Sequence, residues 1–110
     1  MVEIENARDS KQLGKRPAVV IQNDVWNEHS PTTIIAFVTS RRKKKLPTHV
    51  QLHCRNLART STVMLEQIRT VSVNRIGSYI GTLGMRDMSS IDQALKISLG
   101  IGKRSRQWGW

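Results

Sequence analysis

Apolar residues form short strand-length runs in the first half of the chain, alternate with polar ones over residues 48–54, and take a helical period near the end. Residues 17–22, Pro-Ala-Val-Val-Ile-Gln, are a short apolar run and predict a buried strand with Pro17 at its start. Residues 33–39, Thr-Ile-Ile-Ala-Phe-Val-Thr, are rich in β-branched types and predict a central strand. The polar stretch 23–31 between them, which contains Trp26, reads as a loop. Over residues 48–54 the alternation is clean. Val50, Leu52 and Cys54 point one way, while His49, Gln51 and His53 point the other. That predicts a half-buried strand with Cys54 as a small core residue. Residues 62–73 predict one long or bent strand holding Glu66, Gln67 and Arg69.

Gly77, Gly81 and Gly84 then interrupt the chain, with a helical turn near 74–79 and a last short strand near 80–83. Ser89 and Ser90 are candidate N-caps, and Gln93 follows Ser90 at capping-box spacing. Ile91, Ala94, Leu95, Ser98 and Leu99 recur at helical spacing, and Gly100 supplies the stop. The expectation is a mainly β domain, a small curled sheet or barrel of short strands with a C-terminal helix packed against it.

The chain has 110 residues, enough for one domain, and 38% of them are hydrophobic, a modest core for which dimerisation is a plausible supplement. Lys and Arg number 18 against 8 Asp and Glu, a formal charge of +10, which favours a polyanionic partner such as nucleic acid. Arg41, Arg42, Lys43, Lys44 and Lys45 form an unbroken basic run. Lys15 with Arg16, and Lys103, Arg104 and Arg106, add to it. The run reads either as a solvated loop between strands or as a phosphate-attracting surface whose binding weakens with salt. No apolar run of ~18 residues exists, so no membrane span is expected. The opening Met-Val-Glu-Ile-Glu-Asn lacks the apolar segment of a secretory signal. The lone Cys54 makes neither an internal disulfide nor a cysteine zinc site, and a reducing cytoplasm is the expected setting.

The candidate chemistry narrows by elimination. His49 and His53 stand about 13 Å apart on a straight strand and cannot share a metal, so no metal or other cofactor is expected. Glycine-rich phosphate loops and the G-x-S-x-G elbow are missing from the sequence. What remains suits phosphodiester chemistry without metal. An RNA 2′-hydroxyl can attack its neighbouring phosphate if a proton is removed, the leaving 5′-oxygen is protonated and cations stabilise the charge on phosphorus. Arg16, Thr39, Ser40, Glu66 and Arg69 can do this if the fold brings them together.

The residues also carry a resemblance. Gly14-Lys15-Arg16-Pro17-Ala18-Val19-Val20-Ile21-Gln22-Asn23-Asp24 resembles the second strand of MazF/PemK-type toxins, the mRNA interferases of bacterial toxin–antitoxin systems. The likeness is to the EndoA-like members. It continues through Ser30-Pro31-Thr32, Val38-Thr39-Ser40 and Lys45-Leu46-Pro47-Thr48-His49-Val50. It is strongest at Leu65-Glu66-Gln67-Ile68-Arg69-Thr70 and resumes at Asp92-Gln93-Ala94-Leu95-Lys96-Ile97-Ser98-Leu99-Gly100. The resemblance implies an SH3-like small barrel of the CcdB/PemK type over residues 1–101, with short antiparallel strands and a C-terminal helix, working as a homodimer. It implies metal-independent, sequence-specific cleavage of single-stranded mRNA to a 2′,3′-cyclic phosphate in the bacterial cytoplasm, neutralised by a cognate antitoxin. Arg16 falls on the family's catalytic arginine, Thr39 on its catalytic threonine and Glu66 on an acidic position catalytic in some members. By the same resemblance, Ser10 and Gln12 fall in the loop that in the family folds over the substrate, and Gln67 and Arg69 fall where the family lines the RNA groove, with Ser40 beside Thr39 as a further RNA-binding candidate.

Some features depart from the pattern. Family members begin about eight residues earlier, so the first strand is expected to be partly missing and a sheet edge exposed. Lys11 stands where a loop glutamate is usual, and Asn6 where a proline is usual. Residues 102–110 form a basic, aromatic tail, expected to be flexible, that ends Trp108-Gly109-Trp110, a faint likeness to gyrase poisons of the same fold. The alternative readings are a catalytically impaired module that still binds RNA or antitoxin, and a gyrase-directed toxin.

Overall fold

The computed structural model describes residues 1–5, 15–23, 29–41, 45–53 and 60–102. Six strands form one sheet: β1 (Val2–Glu5), β2 (Lys15–Val20), β3 (Thr32–Thr39), β4 (His49–Leu52), β5 (Ser61–Ser72) and β6 (Ile76–Tyr79). Their order is β4-β5-β3-β2-β1-β6, and every neighbouring pair is antiparallel. A 3-10 turn, Val73–Arg75, joins β5 to β6, and the helix α1 (Met85–Leu99) follows. The expected barrel is thus an open antiparallel sheet with a C-terminal helix, and β4 and β6 are its edges. The first strand, expected to be partly missing, is paired on both sides, with β2 and with β6. Met1 is buried, and its nitrogen donates to the Gly81 carbonyl at 2.9 Å.

Period-two alternation splits the apolar residues between two faces. On one face Val19, Ala36, Val38, Val50, Leu52, Val63 and Leu65 pack against Ile91 and Ala94 of α1. On the other, Ile4, Ala18, Ile35, Phe37, Met64 and Val71 form a second cluster. The β-branched run of β3 is buried on both faces, as a central strand must be. Val50 and Leu52 of β4 are buried and Gln51 is exposed, as the alternation predicts. Cys54 and Trp26 lie outside the described residues.

The C-terminal elements differ from expectation. β6 covers Ile76–Tyr79, earlier than the strand expected near 80–83, and only Val73–Arg75 is helical before it. Gly77 lies against β1, where an added Cβ would meet the Glu3 carbonyl oxygen at 3.4 Å. Helix α1 begins at Met85 with Gly84 as N-cap and no side-chain cap, so Ser89 and Ser90 sit inside it. The cause is tertiary. Asp87, in the first turn, accepts the His53 backbone N–H at 2.9 Å and the His53 ring at 2.8 Å, tying the helix start to the end of β4. At the other end Gly100 takes the left-handed conformation (φ 67°) that stops the helix, as predicted. Ser98 donates to the Leu65 carbonyl at 2.7 Å and holds the last turn on β5.

Candidate functional site

Two irregularities in the sheet open the candidate site. The β2–β3 ladder ends at Ala18↔Phe37. Beyond it stands Pro17, which has no N–H to continue the ladder, while β3 runs on through Val38 and Thr39, still paired on its other side with Val63 and Thr62 of β5. The second irregularity lies in β5. As β3 advances from Ala36 to Val38, β5 runs from Ile68 back to Val63, so residues 64–67 bulge. Between these features is a cavity of about 460 Å³. Arg16, Thr39, Ser40, Arg41, Ser61 and Gln67 supply its polar lining, and Pro17, Val38 and Met64 its apolar lining.

Four of the expected site residues, Arg16, Thr39, Ser40 and Gln67, therefore meet at one cavity. Arg69 stands on the same face: its guanidinium lies 5.5 Å from the centre of the Phe37 ring, and that of Arg16 lies 4.2 Å from it. Thr39 Oγ1 accepts the Arg41 backbone N–H at 3.1 Å, which orients the hydroxyl and leaves its own hydrogen to donate elsewhere. Glu66 is elsewhere. Its carboxylate accepts the Thr48 hydroxyl at 3.0 Å and the His49 Nε2–H at 2.9 Å, and it does not line the cavity. Partial burial opposes its charge, but hydrogen bonds from His49, from its own backbone and from Thr48, with the His49 charge, outweigh that and lower its pKa below the ordinary 4.5. Glu66 thus braces the start of β4. Ser10 and Gln12, with Lys11 between them, lie outside the described residues.

Arg41, Ser61, Met64 and Phe37 also shape the site, although residue type and the family pattern single out none of them. Arg41 stands out in the sequence only as part of the basic run. Phe37 reads as a core residue, though its two-residue spacing from Thr39 on one strand does carry a signal. Among the described residues the lining includes two arginines and no acid, so the cavity suits an anion. Among the described residues no group of three or more His, Cys, Asp or Glu side chains is placed to hold a metal, and no helix is long and apolar enough to cross a membrane.

Fold and site together define a small antiparallel β-protein with a C-terminal helix and an anion-directed pocket between strands. Comparison with known proteins makes this more specific. The profile of the PemK-like, MazF-like toxins of type II toxin–antitoxin systems matches residues 1–99, and the chain belongs to that family. Solved structures share the fold. An endoribonuclease from a mycobacterial species, in complex with its cognate antitoxin, aligns with TM-score 0.78 at 23% identity over 98% of this chain and 93% of that one. A second mycobacterial endoribonuclease aligns with TM-score 0.73 at 26% identity, over 80% of this chain and 83% of that one. MazF from Deinococcus radiodurans gives 0.73 at 22% identity, over 91% and 92%. The family expected from the residues is the one found, as is the antiparallel fold with its C-terminal helix, though the sheet is open.

Proposed function

We propose that this chain is a toxin that cleaves single-stranded RNA without a metal, acting as a homodimer in the bacterial cytoplasm and held in check by a cognate antitoxin. The observation that carries the reading is the convergence of Arg16, Arg41, Thr39 and Ser40 on one cavity, in a member of a toxin family with structural neighbours named as endoribonucleases. The arginines take the non-bridging oxygens of the scissile phosphate, and Arg16 offers a planar fork for two of them. The RNA 2′-oxygen attacks phosphorus, the bond to the 5′-oxygen breaks, and a 2′,3′-cyclic phosphate and a 5′-hydroxyl result. The 2′-oxygen passes its proton to solvent water, and the 5′-oxygen takes one from Arg16, which recovers it from solvent. The Arg16 guanidinium carries N–H donors and no acceptor, which suits it to the donating step. Thr39, its oxygen already engaged by a backbone N–H, points its own hydrogen at the charge that develops on phosphate. Gln67 and Arg69 guide the strand toward this point, and Ser10 and Gln12 add further contacts to the RNA.

The antitoxin fits the charge. A net +10 chain favours a disordered acidic segment that folds on binding. One experiment tests the nuclease reading: incubate the chain with a long single-stranded RNA in excess EDTA and map the ends. Cuts at a repeated short sequence, lost in Arg16→Ala, are expected. A folded chain that makes no cuts would instead identify a module that binds RNA or antitoxin without catalysis.

A further inference from the structure

The Phe37 ring holds two cations by reason of the sheet register. Ala18 of β2 stands opposite Phe37, and Arg16 is two residues from Ala18, on the same face. Ile35 of β3 stands opposite Arg69, and Phe37 is two residues from Ile35, again on the same face. Arginines from the two strands flanking β3 therefore reach the same aromatic side chain, at 4.2 Å and 5.5 Å from its centre. Phe37 is only 8% exposed and clusters with Ala18, Ile35 and Met64, so its ring is a firm platform. The guanidiniums repel each other, and an anion between them would relieve that repulsion.

Resting on the nuclease reading above, we infer that Phe37 is a positioning residue, whose ring holds the Arg16 guanidinium at the cavity and pairs it with Arg69 as a seat for a phosphate group of the RNA. The ring never touches the reacting atoms. It acts by limiting where Arg16 can be, which matters most when the charge on phosphorus is greatest. The effect should therefore fall on kcat more than on KM.

The test replaces Phe37 by 4-fluoro-, 3,5-difluoro- and 3,4,5-trifluorophenylalanine. These keep the ring's size while draining the negative charge from its face. The cleavage rate should fall stepwise, by about 10-fold across the series, with KM and Tm nearly constant. Phe37→Trp should retain activity and Phe37→Leu should lose it. A rate flat across the fluorinated series in a chain that cuts RNA would overturn the inference. NMR of the Arg16 side chain reads the stack without substrate: its Cδ protons should be shifted upfield by the ring, and Phe37→Leu should abolish the shift. An intact shift in a chain that cuts no RNA would overturn the nuclease reading while leaving the stack in place. No shift at all would overturn the stack.

Discussion

The Thr39 hydroxyl accepts the Arg41 N–H at 3.1 Å, and that single bond decides what the side chain can do next. With one lone pair occupied by backbone, the hydroxyl is held in place and its hydrogen is available to a phosphate oxygen. Thr39→Val keeps the shape and removes the donor. Its cleavage rate should fall about 100-fold, as for loss of one oriented donor, while the Tm stays near that of the parent. Thr39→Ser should recover much of the rate. A Thr39→Val variant as fast as the parent would remove the hydroxyl from the chemistry. Part of this was legible in the sequence. Arg16, Thr39, Ser40 and Gln67 could be named from residue types and the family pattern, and they line one cavity. Glu66 could be named but not placed. Regular alternation from Met64 would turn Glu66 to the cavity and Gln67 away from it, but residues 64–67 bulge, and it is Gln67 that lines the cavity. Glu66 turns to Thr48 and His49 instead, partners far away in sequence. Met64 and Gln67 share the cavity only because β5 bulges between them, and a bulge set by pairing with β3 and β4 leaves no local mark.

At the scale of elements, the central strands were readable because their burial follows from composition, whereas the start of α1 was not. Met85 and Arg86 are exposed and carry no periodic signal, and the helix is anchored by Asp87 reaching His53 across the fold. Ser90 therefore lies in a helix interior rather than at a cap. Ser90→Ala should leave stability unchanged or raise it by a few tenths of a kcal/mol, the difference in helix propensity. A loss of about 1 kcal/mol in denaturant melts would restore the cap. Asp87 gives the opposite expectation. Burial opposes its charge, but hydrogen bonds from the His53 side chain and backbone, with the charges of His53 and Arg86, outweigh that and hold its pKa below the ordinary 3.8. The folded chain thus binds that proton less readily than the unfolded chain. The stabilisation is fully present above the ordinary value and is lost as pH falls through the lower folded one. Stability should therefore decline below about pH 4 in the parent. In Asp87→Asn it should be lower at neutral pH and less steep through that acid range. Parallel acid profiles for the two chains would remove Asp87 as the source.

At the scale of the whole molecule, the two faces of the sheet have separate tasks. One is covered by α1 and supplies most of the core, while the other carries the second cluster, the Phe37 stack and the cavity. The net charge of +10 acts over both and attracts any polyanion, but only charges that reach the RNA release counterions from it. Salt dependence separates the two roles. For a single strand, the logarithm of the binding constant falls against the logarithm of salt concentration with a slope of about −0.7 for each phosphate neutralised. Arg41 lines the cavity, so Arg41→Ala should make the slope shallower by about 0.7 and weaken binding in the same way for every RNA sequence. Lys96 is exposed on α1, the helix that covers the opposite face, so Lys96→Ala should leave the slope unchanged. The measurement is a titration of fluorescent single-stranded RNA at several salt concentrations, with the Arg16→Ala background used to prevent cutting. Equal slopes for the Arg41 and Lys96 variants would mean that the charge acts as a diffuse field over the molecule. A slope that changes only for Arg41 would trace the RNA path through the gap between β2 and β3.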